Sequence, residues 1–187
     1  MSRYIERIEA NPVIAAVRKP DDLEDALKSQ ATAVFLLHAD IFNLAGLVSA
    51  IRERGKDVFV HFDFLEGLGR DSRAIDYLMQ VIGPDGMITT KSSHVKYARE
   101  KGFFVIQRFF LIDSQSYDTM VKSVHALKPD MVEVMPAVMP SVIRRTCSRL
   151  PVPVIAGGLV ESKEEMLDVL NAGAIGVSTG RKELWVL

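Results

Sequence analysis

The chain has 187 residues, 48% apolar and 25% charged, enough to bury a sizeable core and, by length, to form one domain over 1–187. Its 23 basic and 24 acidic side chains nearly cancel, so no global field gathers a polyanion, and any nucleic-acid contact has to come from a local patch. Cys147 is the only cysteine, which excludes an internal disulfide, and the polar start Ser2-Arg3-Tyr4 holds no apolar signal region, so a cytoplasmic protein is expected.

Short β-branched runs recur along the chain: Val13 to Val17, Ala33 to Leu37, Val58 to Phe62, Met87 to Thr89, Phe103 to Ile106, Met131 to Met135, Val154 to Ala156 and Ile175 to Val177. They predict eight strands, all far shorter than a membrane span of about 20 apolar residues, so no membrane partner is expected. Between them apolar residues fall at helical spacing, as in Leu23, Ala26 and Leu27, in Ile75, Leu78, Met79 and Ile82, and in Met166, Leu167 and Leu170. Asp113 with Ser114, Ser141, and Ser162 followed by Glu165 mark helix starts, while Gly55, Gly83, Gly102 and Gly173 mark stops. Alternating βα units require a parallel sheet, and eight of them can close so that no edge is left exposed. The expected fold is therefore α/β, a compact (βα)8 TIM-type barrel. Its loops must be minimal, since such barrels commonly need about 250 residues. Arg181 to Leu187 leaves room only for a truncated last helix, whose apolar end Leu184-Trp185-Val186-Leu187 is expected to seal the wall or dock on another subunit. A flat doubly wound sheet is the alternative use of the same units.

In a barrel the last two βα loops stand side by side at the C-terminal face. Both are small here. Gly157 and Gly158 let backbone approach a ligand, and Ser178, Thr179 and Gly180 offer hydroxyls and amides where a last helix begins, so a phosphate or carboxylate site is expected between them. The other strand ends carry charge: Arg18-Lys19, His38 with Asp40, His61 with Asp63, Lys91, Gln107-Arg108, and Glu133 between Val132 and Val134. Strand alternation puts His61 and Asp63 on one face about 7 Å apart, either to bind a hydroxylated ligand or to form a structural pair. A metal would need a third ligand that this spacing does not supply, and none is expected. Glu133 is expected to be balanced by Arg18, Lys91 or Arg108, or to be bound by water. Lys91 suits either a Schiff base or the start of a helix. Cys147 reads as an inert thiol. Basic residues also gather on helices, at Arg52, Arg54 and Lys56, at Lys96, Arg99 and Lys101, and at Arg144, Arg145 and Arg149, the pattern of a solvated face. No nucleotide-binding fingerprint is present, so no cofactor is expected.

The stretches NPVIAAVR, VFLLHADIFNL, VFVHFDFLEGLGRD, DGMITTKS, IQRFFLIDSQS, VEVMPAVMP, PVIAGGLVESKEE and NAGAIGVSTGRKELW, in order over nearly the whole chain, resemble the glycerol uptake operon antiterminator regulatory protein family. The resemblance implies a bacterial regulator that binds glycerol 3-phosphate as effector and acts on leader mRNA of glycerol-utilisation operons so that transcription passes a terminator. It places the phosphate at Gly157, Gly158, Ser178, Thr179 and Gly180. The glyceryl end would face His61, Asp63, Gln107 and Glu133, with Arg18, Lys91 and Arg108 supplying positive charge.

Two classes of function follow. One is a ligand-gated RNA-binding regulator whose effector shifts a population towards an RNA-competent state, a homodimer among its candidates. The other is a small-phosphoester enzyme of isomerase or aldolase type, with Glu133 or Asp63 as base and His61 or Lys91 as acid or electrophile. No pair of catalytic groups stands at diagnostic spacing, so no catalytic residue is assigned and the regulator is preferred.

Overall fold

A computed structural model describes residues 2–186. Its strands, in chain order, are β1 (Val13–Val17), β2 (Ala33–Leu36), β3 (Ala39–Asp40), β4 (Asp57–His61), β5 (Leu65–Glu66), β6 (Gly86–Thr89), β7 (Val105–Phe110), β8 (Met131–Met135), β9 (Val154–Gly157) and β10 (Gly176–Thr179). Eight of them form a closed parallel barrel, while the two-residue β3 and β5 pair with each other in the loops after β2 and β4. Closure lies between β1 and β10, where Val13 stands opposite Val177, Ile14 opposite Ser178 and Ala15 opposite Thr179. A flat doubly wound sheet would leave those two strands unpaired, so this register decides for the barrel.

Along each strand alternate side chains point to opposite faces. Ile14, Phe35, Phe59, Ile88, Ile106, Met131 and Ile155 fill the interior. Their neighbours Val13, Val34, Val58, Val105, Val132 and Val177 pack outward under the helices. The helical layer consists of α2 (Pro20–Lys28), α3 (Leu44–Glu53), α4 (Ser72–Tyr77), α5 (Ser92–Glu100), α6 (Ser114–Leu127), α7 (Pro140–Arg149) and α8 (Lys163–Asn171), and a preceding α1 (Arg3–Ala10) stands apart from it. Ser162 and Glu165 form the expected capping box, and Asp113 forms another with Ser116. Gly55, Gly83, Gly102 and Gly173 end their helices at φ values of 70°, 66°, 72° and 107°, where a side chain would be strained. Ser141 sits inside the first turn of α7, which Pro140 opens.

Three features differ from the sequence reading. The alternation of strands and helices predicts nothing before β1, yet α1 is capped by Ser2 and buries Ile5 and Ile8 against the barrel interior. It plugs the N-terminal end of the barrel, and Tyr4 packs edge-on against Phe59 and Phe104 at 5.6 and 5.0 Å. The strand expected at Phe103 to Ile106 begins at Val105 and runs to Phe110, because Phe103 belongs to the turn after Gly102. The strand expected to continue through Phe62 stops at His61, and Phe62–Phe64 form a 3-10 turn.

The chain closes with a 3-10 turn, Lys182–Leu184. Trp185 is buried behind it and donates its indole N–H to the Thr179 carbonyl at 2.8 Å, so this tail seals the wall as expected. Leu187, the last residue of that expected tail, lies outside the described residues. Among the described residues no helix is long and apolar enough to cross a membrane.

Removing Ile8 leaves a cavity where the plug meets the interior. Ile8→Ala is expected to cost about 2–4 kcal/mol in urea unfolding, in the range for buried Ile truncations. A loss of only a few tenths would show that α1 does not plug the base.

Candidate functional site

Inward alternation brings His61 of β4, Arg108 of β7, Glu133 of β8, Gly157 of β9 and Ser178 of β10 to the C-terminal end of the barrel, above the apolar interior. Glu133 is completely buried. Its Oε2 accepts from Arg108 Nε at 2.6 Å, and its Oε1 accepts from the Ser178 hydroxyl at 2.5 Å. A buried carboxylate persists only when paired and hydrogen-bonded. Of the three cations expected to balance it, the structure supplies Arg108. Gly157 stands against the same carboxylate, where an added Cβ would lie 2.7 Å from Oε1. Its small size makes room for Glu133.

Above this layer lies a cavity of ≈ 370 Å³, bordered by Arg18, Arg108, Gly158, Leu159, Gly180 and Arg181. Arg108 Nη2 is buried and meets no hydrogen-bond partner among the described residues. Gly158 and Leu159 both adopt left-handed backbone, with φ of 78° and 62°. Among the described residues the amides of Gly158, Leu159 and Gly180 donate to no backbone carbonyl. Turns with successive unpaired N–H groups suit an anion.

The hydroxyls expected to help are already engaged. Ser178 donates to Glu133, while Thr179 donates to the Val160 carbonyl at 3.3 Å and accepts from the Arg181 amide at 3.1 Å. The expected helix N-terminus is also reduced: the last helix is a three-residue turn, too short for a macrodipole of consequence. Positive potential at the mouth therefore comes from guanidinium groups and single amides.

A second lobe of ≈ 540 Å³ shares Arg18, Leu37, Arg108 and Met135 with the first and adds Phe64, Arg70 and Phe110. His61 lies beneath Phe64, stacked on it at 4.3 Å with an interplanar angle of 13°. Both its ring nitrogens are buried without a partner among the described residues. Burial, reinforced by the nearby Arg108 charge, pushes the imidazole down to about 4, so it is neutral at physiological pH.

The remaining expected residues lie elsewhere. Because β4 stops at His61, Asp63 turns away into the 3-10 turn, where its carboxylate accepts from Thr89 Oγ1 at 2.7 Å, the Thr90 amide at 2.7 Å and Thr90 Oγ1 at 2.8 Å. Burial alone would raise that carboxyl, but these bonds outweigh it and hold it below the ordinary carboxylate range. Gln107 points outward and donates to Ser123 of α6 at 3.1 Å. Lys91 is exposed at the start of α5 and borders neither lobe. His38 borders the second lobe, 3.9 Å from Glu66. Leu159, Arg181, Met135 and Phe64 border the mouth without having been singled out, and only their places just beyond predicted strand ends could have flagged them. Among the described residues no three His, Cys, Asp or Glu side chains gather as a metal site.

Fold and mouth together define a TIM-type barrel with an arginine-lined, carboxylate-braced cavity at its C-terminal face. The chain belongs to the family of glycerol-3-phosphate responsive antiterminators, which it matches over residues 13–185, and this places it among regulators of transcription that act by antitermination in glycerol metabolism. The glycerol uptake operon antiterminator regulatory protein of Listeria monocytogenes superposes with a TM-score of 0.89 at 35% identity, covering 94% of this chain and 95% of the other. A glycerol uptake operon antiterminator-related protein of Thermotoga maritima gives 0.82 at 36% identity, covering 92% and 96%. Escherichia coli K12 YgcP, described as uncharacterized, is 37% identical over 180 residues, 96% of this chain and 94% of that protein. The deoxyribose phosphate aldolase of Aeropyrum pernix, at 15% identity and a TM-score of 0.70, over 96% of this chain and 89% of the other, shares the fold alone.

A histidine held neutral in the fold makes stability depend on pH. The unfolded chain takes up a proton as pH falls below the ordinary 6.5, while folded His61 stays neutral down to about 4, so stability drops across that window. Between pH 7.5 and 4.5, His61→Gln should lose about 2–3 kcal/mol less than the wild type in denaturant titrations. Parallel losses in the two proteins would show that His61 is not held neutral.

Proposed function

We propose that the chain senses glycerol 3-phosphate at the barrel mouth and, when loaded, acts in the cytoplasm on leader RNA of glycerol-utilisation operons so that transcription passes a terminator. The observation that carries this reading is Arg108. Its Nε is held by a fully buried carboxylate while, among the described residues, its Nη2 has no partner, beside a cavity bordered by amides that donate to no backbone carbonyl. A guanidinium fixed in this way suits a phosphate oxygen without losing further rotamer freedom.

In this account the phosphate rests on the amides of Gly158, Leu159 and Gly180 with Arg18 and Arg108 as counter-charges. Gly157 and Ser178 act indirectly by seating Glu133, and Thr179 by holding the Val160 loop. The glyceryl end lies towards Arg108, while His61, buried beneath Phe64, borders neither lobe and only supports the wall. Asp63, Gln107 and Lys91 drop out of the ligand set because their side chains are engaged or directed elsewhere. No cofactor enters the scheme. The effector acts by preferring the RNA-competent state, and a ligand with equal affinity for both states would shift nothing.

Regulation is preferred to catalysis for a positional reason as well. Lys91, which an aldolase-type Schiff base would need, stands outside both lobes, and Asp63 is held by two threonines.

Titration calorimetry should show glycerol 3-phosphate binding well above glycerol or inorganic phosphate alone. Gly158→Asp, which places a carboxylate at the anion seat, should weaken it about 100-fold or more, whereas the neutral Gly158→Asn, also tolerated in left-handed backbone, should weaken it far less. Equal binding by Gly158→Asp and wild type would remove the seat from this loop.

A further inference from the structure

On the basis of the RNA-dependent reading above, we propose that the second lobe of the mouth seats an unpaired RNA base, with Phe64 and Phe110 offering stacking faces and Arg70 holding the adjoining phosphate. The lobe of ≈ 540 Å³ is larger than the neighbouring one and is separate from the amides of Gly158 and Gly180. Phe64 and Phe110 are each 55% exposed, whereas the other phenylalanines, Phe42 apart, are buried or half-buried. The apolar rim continues through Phe42, Ile112 and Leu159, all in loops that follow strand ends. Two exposed aromatic side chains on one lobe mark it as a binding surface.

Charge selects the partner. Among the described residues neither Arg18 nor Arg70 makes an ion pair, and the one carboxylate of the lobe, Glu66, faces His38 at 3.9 Å. Arg108 is already balanced by Glu133, and Arg18 faces the effector phosphate, so Arg70 is the guanidinium of the lobe left for a second anion. The basic residues of the helical layer are largely engaged: Arg52 donates to the Gly83 carbonyl, Lys56 to the Ser29 and Ala31 carbonyls, Arg99 pairs with Asp130, and Arg145 and Arg149 lie over the Tyr117 ring. An uncommitted guanidinium, that of Arg70, coincides with uncovered aromatic faces at the mouth. Aromatic faces interleaved with arginines suit single-stranded RNA, whose bases can splay out and stack, and a lobe this size excludes a duplex.

The arrangement also links base to effector. Arg18, Leu37, Arg108 and Met135 border both lobes, and the inner face of Phe64 rests flat on His61. Ordering the shared wall with glycerol 3-phosphate fixes the floor of the lobe in which the base stacks, so the two ligands favour the same state.

The probe is leader RNA transcribed from a glycerol-utilisation operon of the same genome, titrated by fluorescence anisotropy at saturating glycerol 3-phosphate, with photo-crosslinks mapped by mass spectrometry. Phe110→Ala should bind it about 10-fold more weakly, as for other lost base stacks, and Arg70→Ala should lower the salt slope by about one. Both should keep the wild-type circular dichroism and bind glycerol 3-phosphate within about twofold of wild type by calorimetry, and crosslinks should fall on the Phe110 peptide. The control Arg144→Ala should bind RNA as wild type does. Unchanged RNA binding in both mouth variants, crosslinks confined to the helical layer, or sedimentation showing a dimer that Phe110→Ala dissociates would each overturn the base seat while leaving the regulator reading intact. Wild-type protein that binds effector but never RNA would sink both.

Discussion

A carboxylate with no access to water sits near the C-terminal end of the barrel, and the arrangement of the mouth follows from keeping it there. Glu133 is tolerable only because Arg108 and Ser178 reach it from strands on either side, and removing one partner from such a pair leaves a buried charge uncompensated. Three further features depend on it. Gly157 cannot carry a side chain, Arg108 is held through Nε while its buried Nη2 meets no partner among the described residues, and the Arg108 charge helps keep His61 unprotonated. A hydrophobic replacement of the pair could stabilise the barrel equally well, but it would leave no oriented cation at the mouth. The pair thus supports recognition more than stability.

Stability and recognition are accordingly divided between the two ends. The N-terminal end is closed by α1 and a cluster of Ile and Phe side chains, whereas the C-terminal end holds polar groups whose hydrogen-bonding capacity is only partly used. The proposed anion seat has no proper helix N-terminus beside it. In that proposal amides in a left-handed turn and guanidinium groups take the place of a dipole, which suits a chain whose last helix is a single 3-10 turn.

The barrel could be read from eight β-branched runs and the helical spacing between them because each strand buries a local pattern. Nearest-neighbour order then follows from short connections, and the adjacency of the loops after β9 and β10 follows from closure. Alternation failed wherever it was extended past a strand end. Asp63 was placed beside His61 by counting, but β4 stops one residue after Val60 and the 3-10 turn rotates the carboxylate towards Thr89 and Thr90. Gln107 is expected at a strand end facing the ligand, yet β7 runs on to Phe110 and so turns the amide outward and the next residue, Arg108, inward. The partner of Glu133 could be narrowed to three cations and no further, since a bond to Ser178 across 45 positions of sequence leaves no local trace. Helix α1 carried a legible cap at Ser2, but a strand-first rhythm gives no reason to look before β1.

The central claim is that a carboxylate-held arginine and bare amides form one seat for a phosphate, and a crystal structure of the protein with bound glycerol 3-phosphate tests it most directly. The account predicts phosphate oxygens within hydrogen-bonding distance of the Gly158 and Gly180 amides and of Arg108, with the Glu133 pair intact. A phosphate bound elsewhere, or an Arg108 that leaves Glu133 to reach it, would contradict the account.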